Sequence, residues 1–172
     1  MTPRRCPICR MPHHRLGRTK PLAALKRAPG RLAALIRVVP RRLLARRPGP
    51  RSWAINAVMC HLADAEVALA FRLRKIASEP GAALPGWDQE RWAEGGRYRL
   101  TPAREALQAY ARLREANLAY VARLRPAQLE RHGRHPEYGR MSIRQVLDHW
   151  AEHDLNHLEQ MRAALSSLTR RA

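Results

Sequence analysis

Apolar positions return at helical spacing in four long stretches of the chain, separated by runs of proline, glycine and charge. In PLAALKRAPGRLAALIRVV, residues 21–39, the period is interrupted at Pro29-Gly30, where the proline either opens a new segment or kinks a longer one. RRPGPR at 46–51 is a turn-rich connection, after which Ser52 is placed to cap a long helix running to about Ala77 and stopped by Glu79-Pro80-Gly81. Thr101-Pro102 opens a third helix expected to reach Leu124, with the threonine as cap and the proline in the first turn. Ser142 and Gln145 form a capping-box pattern at the head of a fourth, extending to about Leu168. Residues 78–100 hold Pro80, Gly81, Pro85, Gly86, Gly95 and Gly96 without a sustained period, which makes them a long crossover of the kind that often carries function. HGRHPEYGR, 132–140, reads as a loop, and no stretch makes a convincing strand. The expected fold is all-α: a four-helix bundle over residues 21–172, with the crossover between helices 2 and 3 and a basic tail at 1–20.

Composition supports helices: hydrophobic residues make up 45% of the chain with only one Phe, and Ala, Leu and Arg dominate. No run of about 18 uncharged apolar residues exists, so no transmembrane helix is expected. The start of the chain carries no apolar signal core, and three cysteines make no disulfide framework, so the expected location is a reducing cytoplasm.

Charge changes the picture unevenly. The net charge is +19, yet residues 1–51 contain 15 Arg and Lys and no acid, while the rest of the chain holds 18 against 14. Docking onto nucleic acid or an anionic membrane would therefore rest on the N-terminal third. That segment has no aromatic residue to stack on bases, and an arginine bias on solvated faces accounts for the same charge. Within the tail, CPIC has the Cys-x-x-Cys spacing of half a zinc knuckle, with Cys6, Cys9 and His13 as candidate ligands in a cramped arrangement.

The fourth helix carries the chemistry. HWAEHDLNHLEQ, 149–160, places His149, His153 and His157 at every fourth position. On a wheel set at Ile143, the apolar residues Val146, Leu147, Trp150, Met161, Leu165 and Leu168 fall within about 60°. His157 lies inside that face, His153 at its margin and His149 further out. The inner pair is either two hydrogen-bonded packing residues or two imidazoles presented to one metal ion. A third ligand is available on the second helix, where His61 flanks the apolar face among Ala54, Ala57, Ala65 and Ala68; the same small residues would also suit a close helix contact. Histidines from two helices make a three-nitrogen face with open positions, the layout of a catalytic site. Asp154 falls near the centre of the apolar face, where an unpaired carboxylate would cost several kcal/mol. It needs a metal-bound imidazole N–H or an inward arginine such as Arg114. Asp154 and His149 are thus the candidates to orient the ligand histidines, and Cys60 reads as a small helical residue.

SWAINAVMCHLADAE (52–66), RYRLTPAREALQAYARLR (97–114) and HPEYGRMSIRQVLDHWAEHDLNHLEQM (135–161) together resemble the DinB-like superfamily, which includes YfiT-type proteins, over roughly residues 22–168. The resemblance implies a four-helix bundle of up-down-down-up topology, a three-histidine divalent metal site and a homodimer. Carried over by position, the ligands are His61, His153 and His157, and His149 matches a histidine that is not a usual ligand. Family members with a known role mostly use a low-molecular-weight thiol such as bacillithiol, mycothiol or glutathione. The resemblance therefore implies a transferase or hydrolase in which a zinc, nickel or iron ion activates a thiol or water against a small electrophile held between the crossover and HPEYG. The alternative is a non-catalytic metal-binding module whose basic N-terminal segment docks nucleic acid or anionic membrane. A plain bundle with histidines in its core is the remaining reading.

Overall fold

Pro21 begins the first helix at a position where its missing N–H goes unneeded, and the helix α1 (Pro21–Val38) runs straight through Pro29. The computed structural model describes residues 19–170. After α1 come a single turn α2 (Arg41–Leu44), the long α3 (Ile55–Ser78), and α4 (Gln89–Gly95) within the crossover. α5 (Ala103–Ala122) and the short α6 (Pro126–Leu129) follow, then a hairpin of β1 (His132–His135) and β2 (Gly139–Ser142), and finally α7 (Ile143–Thr169). Cys6, Cys9 and His13 lie outside the described residues. Among those described, no helix is long and apolar enough to cross a membrane.

α1, α3, α5 and α7 form the expected four-helix bundle. One apolar cluster joins the end of α1 (Leu32, Leu35, Ile36) to the start of α3 (Val58, Met59), the start of α5 (Ala103, Ala106) and the end of α7 (Met161, Leu168). A second joins Leu25 of α1 to Leu69, Leu73 and Ile76 of α3, Val121 of α5 and Val146, Leu147 and Trp150 of α7. α1 and α7 therefore run one way and α3 and α5 the other, which is the up-down-down-up order. Because α3 and α5 are parallel, the chain must return the length of the bundle between them, and residues 79–102 do so.

Between the two clusters lies a polar belt whose centre is Arg114. Pro29 has no N–H to give the carbonyl of Leu25, four residues back, so the helix leaves that oxygen without its usual donor. Arg114 of α5 supplies it, donating from Nη1 to Leu25 O at 3.0 Å. The same guanidinium pairs with Asp154 of α7 at 2.7 Å and Glu66 of α3 at 2.6 Å. Asn117 and the indole of Trp150 also donate to Glu66, at 3.0 and 3.2 Å, and the Tyr110 hydroxyl donates to Asp154 at 3.0 Å. Burial alone would lower the Arg114 pKa, but Asp154, Tyr110 and Glu66 outweigh it and the guanidinium is held firmly charged.

Three local expectations are corrected. Ser52 and Thr101 cap nothing: α3 starts after Ala54 and α5 after Pro102, neither with a side-chain cap. The carbonyl of Pro102, held in extended geometry, accepts the first amides of α5 instead. The loop expected at 132–140 is an antiparallel hairpin pairing His132 with Ser142 and His135 with Gly139. Its composition hides it, since His, Gly and Arg give no apolar alternation. The crossover adds to its edge, with Leu84 N bonded to Arg134 O and Arg134 N to Ala82 O, both at 2.8 Å. Gly133 permits this approach, because a Cβ there would sit 2.8 Å from the Leu84 side chain. The box at Ser142 and Gln145 forms as expected.

Removing one partner from a buried ion-pair network costs about 3–5 kcal/mol. The variant Arg114→Met should therefore lower the melting temperature by roughly 10 °C, read by circular dichroism, because it strands two carboxylates and the Leu25 carbonyl.

Candidate metal centre

His61 sits on α3 five residues before Glu66, and His153 on α7 immediately before Asp154, so the belt that locks those two helices also sets where the imidazoles meet. His61 Nε2 lies 3.1 Å from His153 Nε2, and His157 Nε2 lies 3.2 Å from the same atom. All three rings are buried, at 0, 5 and 3% exposure. One ligand atom from each comes within 4.8 Å of the other two.

Hydrogen bonding alone does not satisfy this arrangement. Gln160 Oε1 can only accept, and it lies 2.6 Å from His157 Nδ1, so that nitrogen carries the proton and His157 Nε2 presents a lone pair. If His153 Nε2 is also a lone pair, two lone pairs face each other at 3.2 Å. If it carries a proton, that single proton is shared by two neighbours. A cation bound to all three removes the conflict. Nitrogens about 2.1 Å from one tetrahedral ion are separated by about 3.4 Å, and by about 3 Å as the angle closes toward 90°. The separations of His61 and His157 from His153 both lie between these limits. Burial, with each ring disfavouring charge on the others, pushes His61 and His153 well below the usual histidine range, so they stay neutral with lone pairs available.

The surroundings are aromatic. Trp87, from the crossover, stacks on His61 with centroids 5.2 Å apart and planes at 12°, and Trp53 meets the same ring edge-on at 5.3 Å. Trp92 of α4 packs on Trp87 at 4.7 Å. The crossover is tied down by Asn56, whose Nδ2 points at the carbonyls of Tyr98, Arg99 and Thr101 at 3.2, 3.0 and 3.3 Å, and by the Tyr98 hydroxyl on Asp64.

The other expected residues fall into place differently. Asp154 accepts from Arg114 and Tyr110 and from none of the three imidazoles, so it joins helices rather than orienting a ligand. His149 stands beside the triad, its ring 6.3 Å from that of His153, and belongs to a neighbouring cluster with Tyr138. Cys60 is buried, and desolvation pushes its thiol up to about 11, which keeps it protonated at neutral pH. Sequence reasoning missed Trp87, which lies in a stretch with no period. It also missed Glu66, although the spacing of Glu66 from Leu62 and Leu69 put a lone acid on the apolar stripe of α3, the signal that singled out Asp154.

A four-helix bundle with this crossover and a histidine triad between its second and fourth helices defines a recognisable class. The sequence profile of the DinB superfamily matches residues 24–161, and the chain belongs to that superfamily. A protein of Oceanobacillus iheyensis, provisionally named a metal-dependent hydrolase, is 30% identical over 119 residues, which is 69% of this chain. The match spans just under two thirds of that relative, 66% of its length. Among solved structures, YfiT from Bacillus subtilis superposes with a TM-score of 0.77 at 22% identity, covering 88% of this chain and 85% of YfiT. It is described as a metal-dependent hydrolase by provisional assignment, with an unusual four-helix bundle topology. A mycothiol-dependent maleylpyruvate isomerase shares the fold at a TM-score of 0.68 and 8% identity, over 82% of this chain and 59% of that one.

Because Asn56 holds three crossover carbonyls, Asn56→Ala should cost about 2 kcal/mol and release the segment around α4. Trypsin should then cut faster at the exposed Arg97 and Arg99, and unchanged cleavage rates would show that other contacts hold the crossover.

Proposed function

We propose that His61, His153 and His157 hold one divalent transition metal through their Nε2 atoms, and that the protein is a metal-dependent hydrolase acting on a small electrophile. The observation carrying this reading is the convergence of three buried imidazoles, whose facing nitrogens have at most one shared proton between them. Imidazole donors suit zinc, nickel and iron alike. Such an ion, when bound, acts as a Lewis acid that brings the pKa of a coordinated water or thiol toward neutrality.

The rest of the chemistry belongs to the chain. Gln160 fixes the His157 tautomer with its lone pair inward. Trp53 and Trp87 cover His61 and keep bulk water from the nitrogens, which strengthens every electrostatic interaction within. The crossover that carries Trp87 is the wall against which a substrate would be oriented. Water comes first as the nucleophile because the similar proteins carry a hydrolase name. A low-molecular-weight thiol in a transferase reaction is the close variant, supported by the mycothiol dependence of the isomerase that shares the fold.

A second reading, a metal-binding module that docks nucleic acid or anionic membrane, draws on the exposed Arg27, Arg37, Arg41, Arg42, Arg46 and Arg47 along α1, α2 and the turn after them. DNA binding that falls steeply with salt and is lost on replacing Arg41, Arg42, Arg46 and Arg47 with glutamine would favour it over an enzyme.

Metal analysis of the purified protein tests the first reading. Wild type should carry about one transition-metal ion per chain, His61→Ala and His153→Ala close to none, and His149→Ala as much as wild type. Full metal in the His61 or His153 variant would end the assignment.

A further inference from the structure

Among the described residues two arginines are buried, and they are treated in opposite ways. Arg114, 1% exposed, faces two carboxylates. Arg72, on α3 and 3% exposed, has none within ion-pair distance among the described residues. Its Nη2 donates to the carbonyl of Pro85 at 3.1 Å, and its guanidinium carbon stands 5.8 Å from the centroid of the Trp150 ring. A guanidinium offers five N–H donors, so one carbonyl and an aromatic face leave most of them unused. Desolvation lowers the Arg72 pKa, with Tyr138 and Glu137 opposing it only in part. A buried charge so poorly compensated weakens a fold unless something else completes it.

What surrounds Arg72 is polar on one side. It lines a small cavity of about 10 Å³ with His135, Tyr138 and His149, closed on the other side by Leu84 and Val146. The Tyr138 ring lies 4.8 Å from His135 and 4.9 Å from His149. His135 Nδ1 accepts the Glu137 amide at 3.2 Å, which puts the proton of the neutral ring on Nε2 and makes that atom a donor. The cavity is next to the triad without being part of it: Trp150 is as close to the His153 ring, 5.8 Å, as to the Arg72 guanidinium.

We propose that this pocket is a carboxylate subsite: Arg72 holds the carboxylate of a small-molecule acid, with His135 as a second donor. A carboxylate fits better than a phosphate. It is planar and matches the guanidinium fork, and it brings one charge to one cation. The apolar walls disfavour a dianion, and because the closed cavity has room for about one water, either anion enters only when a wall opens. Entry requires the hairpin tip to move, since Tyr138 forms one wall; the tip is a short turn whose Gly139 takes φ +66°. The subsite stands without the metal reading. If both hold, the substrate or thiol cofactor is a carboxylic acid.

The test uses the full chain and two probes, propionate and succinate, at fixed ionic strength with chloride and phosphate as controls. Melting temperature and titration calorimetry are measured before and after chelator treatment. A saturable rise with the carboxylates, retained after chelation and at least tenfold weaker in Arg72→Met, is the expected result. Without ligand, Arg72→Met should melt at or above wild type, because it deletes an uncompensated charge. A large fall in its melting temperature, or failure to fold, would make Arg72 a structural residue and overturn the proposal. So would no saturable response in wild type, an equal response to phosphate, or binding that vanishes on chelation but survives in Arg72→Met. That last outcome would place the carboxylate on the ion and leave the triad reading intact.

Discussion

One guanidinium touches all four helices of the bundle. Arg114 projects from α5, takes the Leu25 carbonyl of α1, and pairs with Glu66 of α3 and Asp154 of α7. Apolar packing tolerates small slides of one helix past another; a set of charge-assisted bonds of 2.6–2.7 Å does not. Buried ion pairs add little net stability against an apolar alternative, and their attested use is to specify register. Register is what the histidines need. Sliding α7 by one turn along α3 would move its histidines about 5.4 Å, far beyond the 3.1 Å that separates His61 from His153.

Pro29 is what gives Arg114 its third anchor. A proline inside a helix is usually a cost, because it removes a donor and crowds the previous turn. Here the carbonyl it leaves open is the one the guanidinium takes, so α1 stays unbroken from Pro21 to Val38. The defect in one helix and the buried charge on another satisfy each other. Neither makes sense when each helix is considered alone, which is why the sequence pattern at Pro29-Gly30 reads as an interruption.

The parts legible from sequence are those written in a single period. The four long helices, the capping box at Ser142 and the inward placement of His153, His157 and Asp154 all follow from repeats of three and four. The cost of an unpaired buried acid called for a partner to Asp154 and offered Arg114 as one candidate beside a metal-bound imidazole; the structure supplies Arg114. The hairpin was not legible, because its strands use His, Gly and Arg and take their order from Leu84 lying over Gly133, a contact 49 residues distant in the chain. The failed caps at Ser52 and Thr101 have a similar cause. Turn bonds at Gly49 and the extended backbone of Pro102 set the helix starts, and local propensity yields to them. Trp87 was invisible for the same reason as the hairpin: an aromatic in an aperiodic segment takes its meaning from where the crossover lands.

The charges of the belt do not cancel. Glu66 and Asp154 bring two carboxylates to a single arginine, and Asp154 Oδ1 has no hydrogen-bond donor. A surplus of negative charge inside a bundle is unfavourable unless a cation lies near. Tyr110 offsets part of it by donating to Asp154, and burial and that carboxylate drive its own pKa far up. Asp154 directly follows His153 on α7, so the belt and the histidine cluster share the same turn of that helix. Neutral imidazoles contribute no charge of their own. Of the charged belt groups it is Arg114 whose field reaches His153, and it disfavours a proton there, which helps to keep that imidazole neutral with its lone pair free. The belt thus has two physical consequences from one composition: its paired charges hold the helices in register, and its arginine helps to keep the adjacent imidazole neutral.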